Sequence, residues 1–291
     1  MPELPEVESV RARLAPAIEG RRLERVEISD SRLTRPLDPA NVARELEGER
    51  VSAVERRGKY LIVRFESGAA LLVHLRMTGS LRHAPAGKLP NDPHRRAVVS
   101  LDDGSDVAYR DVRRFGTWLL LGPSEVEPYL DARVGPEPLS PHFSAAALAA
   151  GLENRRAPVK AALLDQRTVA GLGNIYADEA LWRSQIHPRR AARSLTRGET
   201  RTLHREIRRT LELGIARQGA TLRDYALPDG AAGTMQAEFK VYGRLGEPCP
   251  RCGTPIEKIR VAGRGTWYCP RCQPSPPESA AAPHTGARSS A

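Results

Sequence analysis

The chain has 291 residues and a mass of 31.9 kDa, enough to bury a sizeable core and to divide into two or three domains. A formal net charge of +10 and a pI near 9.9 point to a polyanionic partner, nucleic acid first, over a merely solubilising basic surface. No apolar run approaches the roughly 20 residues of a membrane span and no secretory signal is visible, so a helical membrane protein is left out and a reducing cytoplasm is expected.

The opening stretch, MPELPEV, is where the chain reads as most unusual. Leu4, Val7, Val10, Leu14 and Ile18 recur every three or four residues, which predicts a helix with one buried stripe. Pro5 fits a first helical turn, because the amide it lacks would have had no intrahelical partner. Glu3 and Glu6 lie one turn apart, at the end where the helix dipole favours negative charge. A small residue after Met1 allows its removal, which would leave Pro2 as a terminal secondary amine. An α-amine titrates at about 7.7–8.0, so part of it is nucleophilic near neutral pH. An amine able to form a Schiff base beside carboxylates able to move protons suits covalent catalysis. The same residues also suit an ordinary acidic helix start.

Farther on, Arg22 to Ile28 alternates, and Val51 to Phe65 reads as two strands around Gly58. Ala70 to Met77, Arg96 to Leu101 and Val107 to Leu121 continue the strand pattern. One helix and several strands predict a β-sandwich domain over 1–131. The segment 132–141 is turn-rich and reads as a linker. A helical domain follows over 142–236, with helices expected at Phe143–Gly151, Val159–Leu164, Ile175–Trp182 and Arg197–Ile215. Thr196 and Glu199 have capping-box spacing before the last. A compact cysteine module occupies 237–273, and 274–291 has nothing to pack and is expected to be disordered.

The four cysteines form two C-x2-C pairs, Cys249 with Cys252 and Cys269 with Cys272, separated by a 16-residue loop. Each pair can hold one side of a tetrahedral site, which predicts a zinc β-hairpin rather than disulfides. Four thiolates leave no position for water, so one structural Zn2+ is expected. Arg264 lies near the hairpin tip in VAGRGTWYC, where a metal-braced turn could press it against a phosphate or leave it solvated.

These features combine with PELPEVE at 2–8, GKY at 58–60, HLRMTG at 74–79 and DVRRFG at 111–116. VKAALLDQ at 159–166, GLGNIYADEAL at 171–181 and FKVYGRLGEPC at 239–249 follow. In this order they resemble the successive motifs of the bacterial formamidopyrimidine-DNA glycosylase family, over residues 2–272. The resemblance implies a multidomain α+β fold: helix plus β-sandwich, a helix–two-turn–helix domain and a four-cysteine zinc hairpin. It implies excision of oxidised purines, 8-oxoguanine and formamidopyrimidines, from duplex DNA, followed by β- and δ-elimination in base excision repair. Leu4, where the related endonuclease VIII branch usually has glycine, favours the purine branch.

Residue by residue, the resemblance assigns catalysis to Pro2, Glu3, Glu6 and Lys59. Pro2 would attack the sugar C1′, Glu3 would protonate the ring oxygen, Glu6 would hold amine and sugar in register, and Lys59 would bind the phosphate next to the lesion. Met77, Arg113 and Phe115 would fill the space vacated by the extruded nucleotide and meet the opposite cytosine. Lys160, Asn174 and Arg264 would grip the DNA backbone, with Tyr242 and Arg244 as further DNA-binding residues supporting the hairpin and its phosphate face. No organic cofactor is implied, and the partner is duplex DNA with oxidised purines or abasic sites, bound by a monomer at the bacterial chromosome. The sequence departs from the family at GTMQ, 233–236, where many members have Gly-Tyr-Phe-Gln. Thr221 to Gln236 corresponds to the loop that closes over extruded 8-oxoguanine, so base preference stays open. The rivals are an enzyme of this fold for oxidised pyrimidines and a noncatalytic binder of damaged DNA.

Overall fold

The computed structural model describes residues 1–275; of the expected tail, all but Pro274 and Ser275 lies outside the described residues. The chain divides into two compact units, the first comprising 1–134 with 213–237, the second 135–212 with the chain from 238.

The first unit opens with α1 (Leu4–Ile18), whose stripe of Leu4, Val7, Val10, Leu14 and Ile18 is buried as its period predicts. Glu3 is the extended N-cap of a capping box, and the Glu6 carboxylate accepts the Glu3 N–H at 2.8 Å. Eight strands follow: β1 (Leu23–Ile28), β2 (Val51–Arg57), β3 (Tyr60–Phe65), β4 (Ala70–His74), β5 (Gly79–Pro85), β6 (Arg95–Leu101), β7 (Ser105–Asp111) and β8 (Thr117–Leu121). They pair antiparallel in two four-stranded sheets, β1-β6-β7-β5 and β2-β3-β4-β8. The core is made of Leu61, Val63, Leu71, Val73, Leu81, Val99, Leu101, Val107 and Trp118, joined by Val7, Val10, Leu14 and Ile18 of α1. This is the sandwich the alternation predicts.

Three local features differ from the sequence reading. The stretch Val107 to Leu121 is two strands, because 112–116 turns out of the sheet with Arg114 at φ +58°. A separate β5 follows the turn at 75–78; its Arg82 and His83 blur the apolar alternation. A short helix, α2 (Pro39–Leu46), was unanticipated although its signal was present: Asp38 accepts the amides of Ala40 and Asn41, and Pro39 begins the helix. A further short helix, α3 (Val126–Asp131), closes this stretch.

In the second unit α4 (Ala145–Leu152), α5 (Val159–Leu164) and α6 (Asn174–Arg183) lie where the apolar period places them, and α7 (Arg197–Ala216) starts in that unit and ends among residues of the first. Thr196 and Glu199 form the expected reciprocal cap, at 2.8 and 3.2 Å. The hairpin of β9 (Glu257–Val261) and β10 (Arg264–Tyr268) turns through Ala262 and Gly263, both at positive φ. Segment 213–237, read from the sequence as the end of the helical domain, groups instead with the sandwich. The reason is packing: Tyr225 and Leu227 are members of the sandwich core. Among the described residues no helix is long and apolar enough to cross a membrane.

Candidate active site and nucleic-acid interface

Pro2, Glu3 and Glu6 are all buried at the start of α1, with Glu3 and Glu6 each only 2% exposed. Glu6 Oε2 accepts from Glu3 N–H, and Glu6 Oε1 accepts from the amide of Ala220 at 2.8 Å. Gly58, at φ +57°, makes the tight turn that carries Lys59 between β2 and β3. Arg56 ties that turn to α1, donating to Glu8 Oε2 at 3.0 Å and to the carbonyl of Gly58 at 3.0 Å. Lys59 is buried as well, at 6% exposure. His74 is held down to about 3 by burial first, then by the charges of Arg76 and Lys59. Its Nδ1 accepts the Arg76 amide at 3.0 Å, as a neutral ring can. One end of the first unit thus gathers a buried N-terminal proline and two carboxylates, with the Lys59 turn strapped to the same helix.

The second group comprises the loops 75–79 and 111–116. Asp111 organises them: it accepts from Thr78 Oγ1–H at 2.5 Å, from Arg113 N–H at 3.2 Å and from Gly116 N–H at 2.7 Å. Arg113 N–H also reaches Thr78 Oγ1 at 3.0 Å. Gly79 and Gly116 flank the buried Tyr109 hydroxyl so closely that a Cβ would lie 2.4 and 1.7 Å from it, so neither can carry a side chain there. Arg114 makes a two-pronged contact with Asp30, at 2.5 and 2.7 Å. Between these braces Phe115 stands 52% exposed, with the Arg113 guanidinium 4.7 Å above its ring, and Met77 is half-buried. The sequence reading missed the braces Asp30, Thr78 and Asp111. Thr78 and Asp111 lie inside the quoted motifs and could have been found there; Asp30 carries no local signal.

In the second unit the resemblance assigned Lys160 to a phosphate, and the structure places this residue inside the unit, at the base of the hairpin. Lys160 has no exposed surface; its Nζ donates to Thr266 Oγ1 at 2.7 Å and Gly265 O at 3.2 Å and pairs with Asp178 at 2.7 Å. These contacts tie β10 to α5 and α6. Burial pushes the Asp178 carboxyl up, with Lys160 opposing. Asn174 opens α6 and donates to Gly265 O at 3.0 Å; it is the first helical residue, with Gly173 as the N-cap. Tyr242 packs its ring 4.5 Å from that of Trp267 on β10. Arg244 pairs with Glu247 at 2.8 Å and reaches the carbonyls of Phe239 and Lys240. Arg264, first residue of β10, is exposed. Glu179, unread in the sequence, is fully buried on α6 and accepts the amides of Lys240, Val241 and Tyr242 at 2.9–3.0 Å.

Cys249, Cys252, Cys269 and Cys272 bring their four Sγ atoms within 4.8 Å of one another, with Cys252–Cys269 at 3.4 Å and Cys249–Cys272 at 3.9 Å. A tetrahedral zinc tetrathiolate, with Zn–S about 2.3 Å, spaces its sulfurs about 3.8 Å apart, so the donor set fits such an ion. Trp182 Nε1–H donates to Cys249 Sγ at 3.4 Å. The four cysteines are positioned to hold a metal.

At 218–236 the GTMQ departure has a structural meaning. Met235 is fully buried, whereas Thr234 and Gln236 are exposed, so the two positions where many members carry aromatics differ: the first is open and the second is sealed. Gln236 closes the stem, accepting from Thr221 N–H at 3.1 Å and donating to Gly233 O at 2.9 Å.

Comparison with known proteins accounts for this order of parts. Residues 1–118 match the formamidopyrimidine-DNA glycosylase N-terminal domain, 134–226 the formamidopyrimidine-DNA glycosylase H2TH domain, and 246–274 a zinc finger found in FPG and IleRS. The formamidopyrimidine-DNA glycosylase of Symbiobacterium thermophilum is 50% identical over 97% of this chain and 92% of its own length. That of Geobacillus kaustophilus is 49% identical over 94% of this chain and 100% of its own. Among solved structures, Lactococcus lactis Fpg in complex with DNA containing an abasic site is 38% identical, covering 94% of this chain and 100% of that one at a TM-score of 0.88. A variant of the Lactococcus lactis enzyme in complex with Fapy-dG containing DNA reaches 0.89 at 39% identity, with the same coverage. The chain belongs to the formamidopyrimidine-DNA glycosylase family.

Proposed function

We propose that this protein is a bifunctional DNA glycosylase and abasic-site lyase that removes oxidised purines from duplex DNA, using Pro2 as nucleophile. The observation that carries the reading is the start of α1, where Pro2 lies buried beside two carboxylates that the capping box fixes in place. After Met1 is removed, the Pro2 nitrogen lone pair attacks C1′ and the base departs with the electrons of its glycosidic bond, taking up the proton that the proline nitrogen releases. Glu3 gives a proton to the ring oxygen, the ring opens, and C1′ becomes an iminium of the proline nitrogen. Its positive charge acidifies C2′–H. Loss of that proton expels the 3′ phosphate (β-elimination), and a second proton loss expels the 5′ phosphate (δ-elimination). Glu6 orients Glu3, and Lys59 contacts the phosphate next to the lesion.

Phe115, Met77 and Arg113 fill the gap left by the extruded nucleotide, Arg113 donating to the opposite cytosine. Arg264 and Asn174 meet the backbone; Tyr242, Arg244 and Lys160 hold the hairpin that presents Arg264. The cysteines hold one Zn2+, which stiffens the hairpin. The protein acts as a monomer on chromosomal DNA, and the purine preference follows Leu4. Complexes of the relatives with Fapy-dG and abasic-site DNA support this substrate class.

Borohydride trapping on a duplex containing 8-oxoguanine tests the reading. A stable adduct at Pro2 is expected, Pro2→Gly should lose most of it, and protein retaining Met1 should form none. A wild-type adduct mapped to Lys59 would sink the assignment.

A further inference from the structure

The Ala220 amide on Glu6 links the start of α1 to a segment more than 200 residues away, and both lie in the first unit. Each oxygen of the Glu6 carboxylate holds one amide, that of Glu3 and that of Ala220, so the carboxylate cannot turn without releasing one of them. Gly219 rests directly on the same side chain. A Cβ there would lie 2.8 Å from Glu6 Cγ, 3.0 Å from Glu6 Oε1 and 3.1 Å from the Tyr225 ring, and its φ of +78° suits glycine. Tyr225 adds a second tie, its hydroxyl directed at the carbonyls of Glu6, at 3.3 Å, and Gln218, at 3.1 Å. The other stem of the segment is fastened at the same place: Met235 N–H donates to Gly219 O at 2.9 Å, and a Cβ on Gly233 would lie 2.3 Å from that oxygen. The far end of 219–235 therefore closes on Gly219, which itself rests on the side chain that caps the nucleophile's helix.

We propose that Gly219 is a positioning residue for the Pro2 chemistry, the joint through which the closed stem of 219–235 holds Glu6, and through Glu6 the backbone of Glu3, in working geometry. The inference rests on the function proposed above. It goes beyond contact with an extruded base, because the joint acts on the nucleophile's end of the molecule even when no base is present. Opening the stem releases one oxygen of Glu6 and lets the carboxylate turn away from Glu3; closing it restores both bonds. Coupling of this kind is reciprocal, so engagement of Pro2 must in turn tighten the stem.

An abasic-site duplex separates the two roles, since it offers no base to grip. Wild-type protein trapped with borohydride on that duplex tests the proposed function; the variants, compared with wild type, test the joint. Gly219→Ala is expected to slow single-turnover trapping on abasic DNA roughly ten- to a hundredfold, the equivalent of one lost charge-assisted hydrogen bond, while affinity for the duplex stays near wild type. Tyr225→Phe, which removes only a hydroxyl, is expected to slow it in the same direction by a smaller factor. Hydrogen exchange supplies a readout that does not depend on how well a variant folds. In wild-type protein the Ala220 amide should exchange more slowly in the trapped abasic adduct than in a complex with a tetrahydrofuran-containing duplex, which binds without reacting. Equal exchange in those two complexes would overturn the proposal. So would wild-type trapping rates for both variants on abasic DNA, with loss confined to base-bearing duplexes.

Discussion

Two buried carboxylates, one in each unit, do similar work by different routes. Asp111 gathers groups from its own turn, the amides of Arg113 and Gly116, and one hydroxyl from Thr78. Glu179 reaches across more than 60 residues to three successive amides, Lys240 to Tyr242. The first shapes a small loop whose tips, Arg113 and Phe115, stay exposed. The second fastens a whole connection, from which Tyr242 packs on the zinc hairpin. A short-range brace can fail locally, whereas a long-range one takes its unit's assembly with it.

The largest effect should come where long-range bracing is densest. Stripping the metal, or Cys269→Ser, should free the hairpin from its thiolates and abolish tight DNA binding, while isolated Pro2 reactivity toward a small aldehyde persists. Binding and borohydride trapping of glyoxylate, measured on the same preparation, check this. Loss of both together would show that the two units do not separate chemistry from grip.

Replacing each carboxylate by its amide sharpens the contrast. Either change turns an acceptor into a donor facing N–H groups, a penalty of about 1–3 kcal/mol. For Asp111→Asn this should appear as lost coding, the preference for cytosine over adenine opposite 8-oxoguanine shrinking roughly ten- to a hundredfold, as for Arg113→Ala. For Glu179→Gln it should appear as a lower unfolding temperature and weaker binding of any duplex, with that preference intact. Parallel rate ratios and thermal melts decide; swapped phenotypes would refute the distinction between the two braces.

A smaller change is expected of Arg264→Ala, which leaves the cysteines in place. One phosphate contact fewer should lower the slope of log affinity against log salt by about 0.9, equally for damaged and undamaged duplex. Titrations from low to physiological salt measure it, and an unchanged slope would remove Arg264 from the interface.

A separate contrast is acid sensitivity, to which each unit contributes one histidine. His74 is held near 3 and His187 near 4, each chiefly by burial. Both stay neutral in the folded protein while the unfolded chain takes up a proton on each below about 6.5. Their share of stability is therefore complete above about 6.5 and falls with pH until His187, then His74, protonates in the native state. Each adds a slope of up to ~1.4 kcal/mol per pH unit in that window. Denaturant melts between pH 7 and pH 4 test the sign; His74→Gln should flatten the curve.

Much of this was legible beforehand wherever the cause is local. The α1 stripe, the Gly58 turn, the Thr196–Glu199 cap and the paired cysteines follow from neighbours in sequence. The α2 signal at Asp38 and Pro39 was equally local and was overlooked. What the sequence concealed depends on distance in the chain. Nothing near Asp30 announces Arg114, nothing in VKAALLDQ says that Lys160 is sealed beneath Thr266, and nothing around Gly219 points to Glu6. Segment 213–237 changes unit for the same reason, since its apolar residues find their partners in the sandwich.

The burial of Lys59 and Lys160 also bears on how the protein can be handled. The sequence contains only five lysines, and these two are 6% and 0% exposed. Amine-directed dyes and cross-linkers should therefore react at the chain's α-amine and at Lys88, Lys240 and Lys258, leaving Lys160 for denatured protein. Lys160 then serves as an internal gauge of folding: label appearing there in a mass spectrum reports opening of the second unit.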